Sequence, residues 1–321
     1  MARYVRNTAV LAKIESAYGT DPTPTGTANS ILVSNLSINP LNAGNVDRAL
    51  IRPYFGAGEQ LLGTAYVECG FDVEIAGAGT AGVAPAYGPL LKACGFAETV
   101  TASTRVEYLP STPGTDSVTI YWYDDGLLHK AIGARGTIQI KATIGIKPVF
   151  SFRFLAIDGG VTATANATTT LTAFRTPLVV TDTNTGDLTI GGTYNSTSVT
   201  VGGGTAYPSQ GFEMDLGNAV NHTPLLGGES VDITDRSVSA KFNLDLTAAQ
   251  EASFMTNVKA ATLQTVGIVH GTAAGNKVLF WGTQVQLISP SKAEVNGRRL
   301  IGFDSRFTPS TGNDELRIVV A

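Results

Sequence analysis

The sequence predicts a mainly β protein in which one pattern of strands, carrying one short helix, is used twice. Three observations predict it. Only 15% of the 321 residues are charged, while Gly, Ala, Thr, Ser and Val abound, a mix that favours strands and turns over long surface helices. Two well-separated segments alternate apolar and polar residues with a period of two. The elements that follow the first segment recur, in the same order, after the second.

Taken in order, the chain opens on Met1-Ala-Arg-Tyr-Val-Arg6 without the apolar run of a secretory signal, because Thr8–Ala12 is short and Lys13 and Glu15 follow. Synthesis and retention in a cytoplasm is the expectation. Leu36–Ile38 reads as a first strand. Asn42–Gly63 then reads as a connection without an element of its own, longer than the ~12–15 residues beyond which such loops are usually functional or disordered. Val46, Ile51, Tyr54, Phe55, Leu61 and Leu62, with Arg48 and Arg52 among them, make it too apolar for a solvated linker; a partner surface would explain it. From Val67 the residues Val67, Cys69, Phe71, Val73 and Ile75 form a dry face and Glu68, Gly70, Asp72 and Glu74 a wet one. Gly88–Gly95 reads as a short helix opened by Pro89 and closed by Gly95. Val118–Tyr123, the turn Asp124-Asp-Gly126 and Leu127–Ala131 read as a hairpin. Thr137–Ile140 and Phe150–Phe154 read as two closing strands.

The second series starts with Phe212–Leu216. At a constant offset from the first, Val238, Ala240, Phe242, Leu244 and Leu246 alternate with Ser239, Lys241, Asn243 and Asp245. Thr247–Ala260 reads as a helix with Thr247 as N-cap, Gln250 three residues on, and Phe254, Met255 and Val258 as its buried stripe. A hairpin follows, Val266–His270 to Val278–Trp281 around Ala274-Gly-Asn276. Gln284–Leu287 and Phe303–Phe307 answer to Thr137–Ile140 and Phe150–Phe154. The expected organisation is therefore a first unit over 1–158, an Ala/Thr/Gly-rich linker over 159–176 and a second unit over 177–321. Leu178–Val180, Leu188–Ile190 and Ser198–Val201 look like short strands of the second unit or of a small insertion.

Reactive chemistry finds no foothold. Gly77-Ala-Gly-Thr-Ala-Gly82 matches GxGxxG, but Pro85 interrupts the helix that a dinucleotide site needs, so a loop is expected and no cofactor. His129, His222 and His270 lack metal-ligand spacing. Asp124 and Asp125 are turn residues. Cys69 and Cys94 read as buried thiols. No Gly-x-Ser-x-Gly, HExxH or P-loop occurs, so neither catalytic nor metal residues are expected. The sequons at Asn35, Asn166 and Asn195 are accidental in a chain without a secretory signal. The net charge is -4 and no window concentrates Lys and Arg, which argues against tight nucleic-acid binding. No run reaches the ~18 apolar residues of a membrane-spanning helix.

Arg3-Tyr-Val-Arg-Asn-Thr8, Tyr18-Gly-Thr-Asp-Pro22, Asn45-Val-Asp-Arg48 through Ile51-Arg-Pro-Tyr-Phe-Gly56, Tyr87-Gly-Pro-Leu-Leu91 and Ala93-Cys-Gly-Phe96 resemble the tail tube (major tail) proteins of long non-contractile-tailed bacteriophages. The second half resembles the same family through its pattern rather than its motifs. The resemblance implies a β-sandwich or open barrel with a flanking helix in each unit, self-assembly into rings, and stacking of rings through the long loop after the first strand. It implies a virion tail location after synthesis in the host cytoplasm, with a tape measure protein and a tail terminator as further partners. Two units in one chain imply rings of three chains rather than six.

Geometry agrees with three. Six units of about four strands supply about 24, which at ~4.8 Å spacing and ~40° tilt make a circle roughly 48 Å across, or near 38 Å inside the side chains. Three single units would leave roughly 14 Å, too narrow for duplex DNA about 20 Å wide. Glu68, Asp72, Glu74, Ser239, Asn243 and Asp245 are the expected lumen-facing residues, because a conduit must pass DNA without binding it. A phage head decoration or head-tail connector protein is the alternative, and an enzyme or carbohydrate-binding domain a more distant one.

Overall fold

The computed structural model describes residues 2–114 and 116–321. In chain order these form β1 (Thr8–Ile14), β2 (Ser30–Ile31), β3 (Ser34–Asp47), β4 (Gln60–Glu74), α1 (Gly88–Ala93), β5 (Phe96–Thr101), β6 (Arg105–Pro110), β7 (Val118–Asp124), β8 (Leu127–Thr143) and β9 (Val149–Ala163). There follow β10 (Leu188–Ile190), β11 (Thr193–Asn195), β12 (Thr200–Gly202), β13 (Thr205–Tyr207), β14 (Ser209–Asp215), β15 (Asn218–Leu225), β16 (Gly228–Arg236), β17 (Ser239–Leu244), α2 (Ala248–Lys259), β18 (Leu263–His270), β19 (Val278–Val295), β20 (Arg298–Phe307) and β21 (Leu316–Val320). The protein is mainly β, as expected.

Local chemistry sets the punctuation. Asp125 and Gly126 both have positive φ, 44° and 89°, the twist that a two-residue hairpin between β7 and β8 requires. Asn296 and Gly297, at 50° and 80°, do the same between β19 and β20. Thr247 caps α2 with a full capping box, its hydroxyl accepting from Gln250 N while the Gln250 side chain accepts from Thr247 N. Phe254 is buried, and Met255 and Val258 pack beside it.

The central feature is a continuous antiparallel sheet in the order β3-β4-β9-β8-β14-β17-β20-β19. The first four strands come from the first half of the sequence and the last four from the second, joined where Gln139–Thr143 of β8 pairs with Gly211–Asp215 of β14. Alternation puts Val67, Cys69, Phe71, Phe150, Phe152 and Phe154 on a buried face continuous with that of Phe212, Met214, Phe242 and Phe303. Val10, Ile120 and Ala131 cover Leu36, Ile38, Cys69 and Phe71. Leu188, Val266, Ile268 and Phe280 cover Phe212, Met214 and Phe242 in the same way. One core cluster runs through both halves, and the rings of Phe150 and Phe280, 6.3 Å apart, bridge them. Each such aromatic, fully buried, contributes about 1.5–3 kcal/mol.

The structure revises several sequence expectations. Thr137–Ile140 is a continuation of the hairpin strand in β8, and Gln284–Leu287 of that in β19. Gly159–Ala163, expected as linker, ends β9. Leu178–Val180 is not a strand; Val180 is buried and donates its N–H to Ile146 O. Register also shifts the correspondence between the halves. Phe71 pairs with Phe152 and its counterpart Phe242 with Phe303, so Phe303 answers to Phe152 rather than to Phe150. The shift is two residues, which keeps every side chain on its face.

Asn42–Gly63 is not a bare loop. β3 and β4 continue into it as a two-stranded ribbon, pairing Asn45–Asp47 with Gln60–Leu62, and only 48–59 lies outside strands. Between β14 and β17 the corresponding place holds the hairpin β15–β16, which lies against the first half of the chain. Arg135 donates to Val231 O (2.9 Å) and Asp232 (2.7 Å), and Asn218 donates to Cys94 O (2.8 Å) and Gly136 O (2.9 Å).

Candidate assembly surfaces

Three surfaces are built by this sheet. The first is its polar face, where pairing aligns residues in rows across the strands. Asp72, Ser151, Gln139, Asp215, Ser239, Arg306 and Gln286 form one row, and Glu74, Val149, Lys141, Glu213, Lys241 and Asp304 the next. Glu68, Asp72, Glu74, Ser239 and Asn243 therefore share one face, with Asp245 following at the end of β17. Sequence reasoning had placed Lys241 in this polar series but missed the other bases on this face. Arg153 pairs with Glu68 at 2.6 Å, Lys147 with Glu74 at 2.6 Å, Lys241 with Asp304 at 3.8 Å and Arg298 with Asp245, while Lys141 stands opposite Glu213. The signal was present: Arg153 and Arg306 alternate with apolar residues as Glu68 and Asp72 do. Gln139 donates to Asp215 at 2.9 Å across the seam between the halves.

The second surface is the ribbon of β3 and β4. Val46, Tyr54, Leu61 and Leu62 are more than half exposed, and Ile51 and Phe55 fully so. Leu41 and Leu50 are exposed beside them, so one projecting arm carries a concentrated apolar surface of the kind that marks an interaction site. Arg48 pairs with Glu59 across the mouth of the arm, and Arg52 is exposed. The third surface is a pair of strand edges. Among the described residues β3 pairs only with β4, and the Ser291–Val295 stretch of β19 only with β20, leaving an open edge at each end of the sheet.

The remaining sequence candidates have structural roles. Asp124 holds Arg3, and Asp125 accepts from Tyr4 N and Asn7, so the turn anchors the N-terminal arm. Gly77–Gly82 forms no helix; Gly77 N donates to the Asn276 side chain at 3.0 Å and Gly79 N to Gly275 O at 2.7 Å. Cys69 and Cys94 are buried free thiols, and burial pushes Cys69 up to about 12 and Cys94 well above its usual value. His222 contacts Glu229 at 2.7 Å and His270 contacts Thr185 at 2.8 Å. Asn35, Asn166 and Asn195 bond to Asp72, Asn7 and the 197–198 backbone. Among the described residues no three His, Cys, Asp or Glu side chains gather as a metal site, and no helix is long and apolar enough to cross a membrane.

A continuous two-sided sheet with an apolar arm and open edges suits a protein that builds walls. Comparison with family models agrees: the model of the phage tail tube proteins matches residues 6–304. The chain belongs to the phage tail tube protein family. It is thus a structural tail protein of a family that is not enzymatic. The match spans both halves of the sheet, the arm and both helices of this tail tube protein. Comparison with curated proteins finds no match.

Proposed function

We propose that the chain joins head to tail into rings of three copies, that the rings stack into the tail tube, and that the polar sheet face lines the passage for DNA ejected into the host. The observation that carries this reading is the continuous sheet, four strands from each half, open at both ends. We take the halves as two copies of one unit, so three chains supply six units.

The seam inside the chain supports the size of the ring. Glu68 aligns with Leu155 and Arg135, whereas its counterpart Ser239 aligns through Asp215 with Gln139. The register thus advances from Arg135 to Gln139 over one unit. Repeated at six seams, that step gives a strand tilt of about 35° and a backbone circle roughly 45 Å across. Side chains about 5 Å long then leave about 35 Å, wide enough for duplex DNA of about 20 Å. The paired charges of the polar face suit a wall that DNA slides past, because bases already matched by acids release few counterions. During assembly the same bore would hold the tape measure protein, with a terminator closing the finished tube. The arm is the proposed contact between rings.

Negative-stain microscopy of the purified chain tests the reading. Hollow rods built of threefold rings are expected. Rings of six whole chains would overturn the trimer and keep the tube, and monomers without rods at high concentration would overturn both.

A further inference from the structure

The pairing inside the chain is a template for the pairing between chains. β14 begins the second half as β3 begins the first, and the two have the same local shape. Gly211 and Asn35 have positive φ, 87° and 51°, and in both strands the pairing shifts there, between Ser209 and Phe212 and between Ser34 and Ser37. Past the shift, Asp215 lies opposite Ser239 and Asn39 opposite Glu68, and these partners are themselves counterparts in the repeat. Asn39 therefore occupies in the first half the place of Asp215 in the second.

The receiving edge is located the same way. Asp215 meets Gln139 of β8, which lies opposite Ser151 of β9. The counterpart of Ser151 is Gly302, because Phe152 answers to Phe303, and Gly302 lies opposite Ser291. We propose that β3 of one copy pairs antiparallel with β19 of the next, Asn39 facing Ser291, Ile38 facing Lys292, Ser37 facing Ala293 and Leu36 facing Glu294. This rests on the head-to-tail reading above and names its contact.

Three features fit. β18, the neighbour of β19 on that side, stops short, its last pairing being Leu263 with Gln286, so Ser291–Val295 is unobstructed. β19 and β20 run on as a hairpin to Asn296-Gly297, as β8 and β9 run to the turn at 144–148 beside β14. After Asn39 the incoming strand breaks register, with Pro40 and a pairing shift before Asn42, just as β14 leaves β8 after Asp215 at Gly217, φ 63°. The arm is thereby turned away from β18 instead of running into it.

Paired cysteines read the register. Directly opposite residues in an antiparallel pair have Cα atoms ~4.5–5.5 Å apart, within disulfide range. Asn39 and Ser291 are exposed, and the native cysteines are buried. The full-length N39C/S291C variant should convert on mild oxidation to covalent multimers ending in a closed trimer, with tubes in the same sample by microscopy. N39C/Q286C, the register that the sequence motifs alone would suggest, should stay monomeric on a denaturing gel. Q139C/D215C should close within a monomer and shows that such a pair oxidises. Tubes without the N39C/S291C bond, or a bond in N39C/Q286C instead, overturn the pairing and leave the tube standing. The bond without tubes keeps the pairing and overturns the tube, and neither overturns both.

Discussion

Glu107 ties the two halves of the chain together at single-residue scale. It is buried on β6, accepts from Arg317 of β21 at 2.7 Å and from Tyr194 at 2.9 Å, and lies 3.3 Å from Arg105. Burial acts to raise its pKa, but the hydrogen bonds from Arg317, Arg105 and Tyr194 outweigh it and hold the carboxyl below its usual range. Its folded pKa being the lower one, its contribution is complete above the ordinary carboxylate range and is lost as pH falls through the folded value. E107Q should cost about 3 kcal/mol at pH 7, the scale of a broken buried ion pair. In urea unfolding the gap between wild type and E107Q should narrow steadily as pH drops below the carboxylate range; a gap independent of pH would show that the charge is not what stabilises the contact. Glu15 teaches a related lesson. It reads in the sequence as the charge that ends a short apolar run, yet it is buried and accepts from Ser117, Thr119, Gly133 N and Gly19 N. Three of those partners, Ser117, Thr119 and Gly133, are more than a hundred residues away, beyond any local pattern.

Among the elements, long alternating strands and capped helices were legible, because their signals lie within one segment. β4, β17, α1, α2 and both predicted hairpins occur where alternation, caps and turn residues placed them. β5, β6, β15, β16 and β21 were not foreseen. β15 and β16 are rich in Asn, Thr, Asp and Pro, and they are held by docking on Arg135 and on the Cys94 and Gly136 carbonyls rather than by an apolar face. β21 exists because β19 and β6 flank it on both sides. The arm belongs to this scale too. Fully exposed Ile51 and Phe55, with Tyr54 largely exposed beside them, contribute nothing to the core of the monomer. Replacing Tyr54 and Phe55 with Ser should leave circular dichroism and the unfolding midpoint within about 0.5 kcal/mol of wild type, while rods disappear from micrographs because aromatic anchors concentrate interface energy. Normal rods would remove the arm from the stacking contact.

For the whole molecule the polar face is the test of function. Glu68→Lys, Asp72→Lys and Glu74→Lys together set new cations against Arg153 and Lys147, which now pair with Glu68 and Glu74. These are surface pairs, so the combined cost should be about 1–2 kcal/mol and the fold should persist. In assembled tails the surplus positive charge should hold the DNA, and ejection measured by dye release should slow several-fold, most at low salt. Unchanged ejection from normal tubes would mean that this face points away from the channel.

Alternation, caps and turns were enough to place a mainly β chain with its two helices and an apolar segment after its first strand, since each of these is written within a few neighbouring residues. Which strands meet was not. The joining of β8 to β14, the two-residue shift that sets Phe303 rather than Ser305 against Phe242, and the matching of Arg153 and Lys147 to the acids of β4 all depend on register between distant segments. A side-chain period of two is blind to a slip of two, because every residue stays on its face. Packing of the shared core around Phe150, Phe212 and Phe280 chooses among such slips, and that choice exists only once the chain has folded.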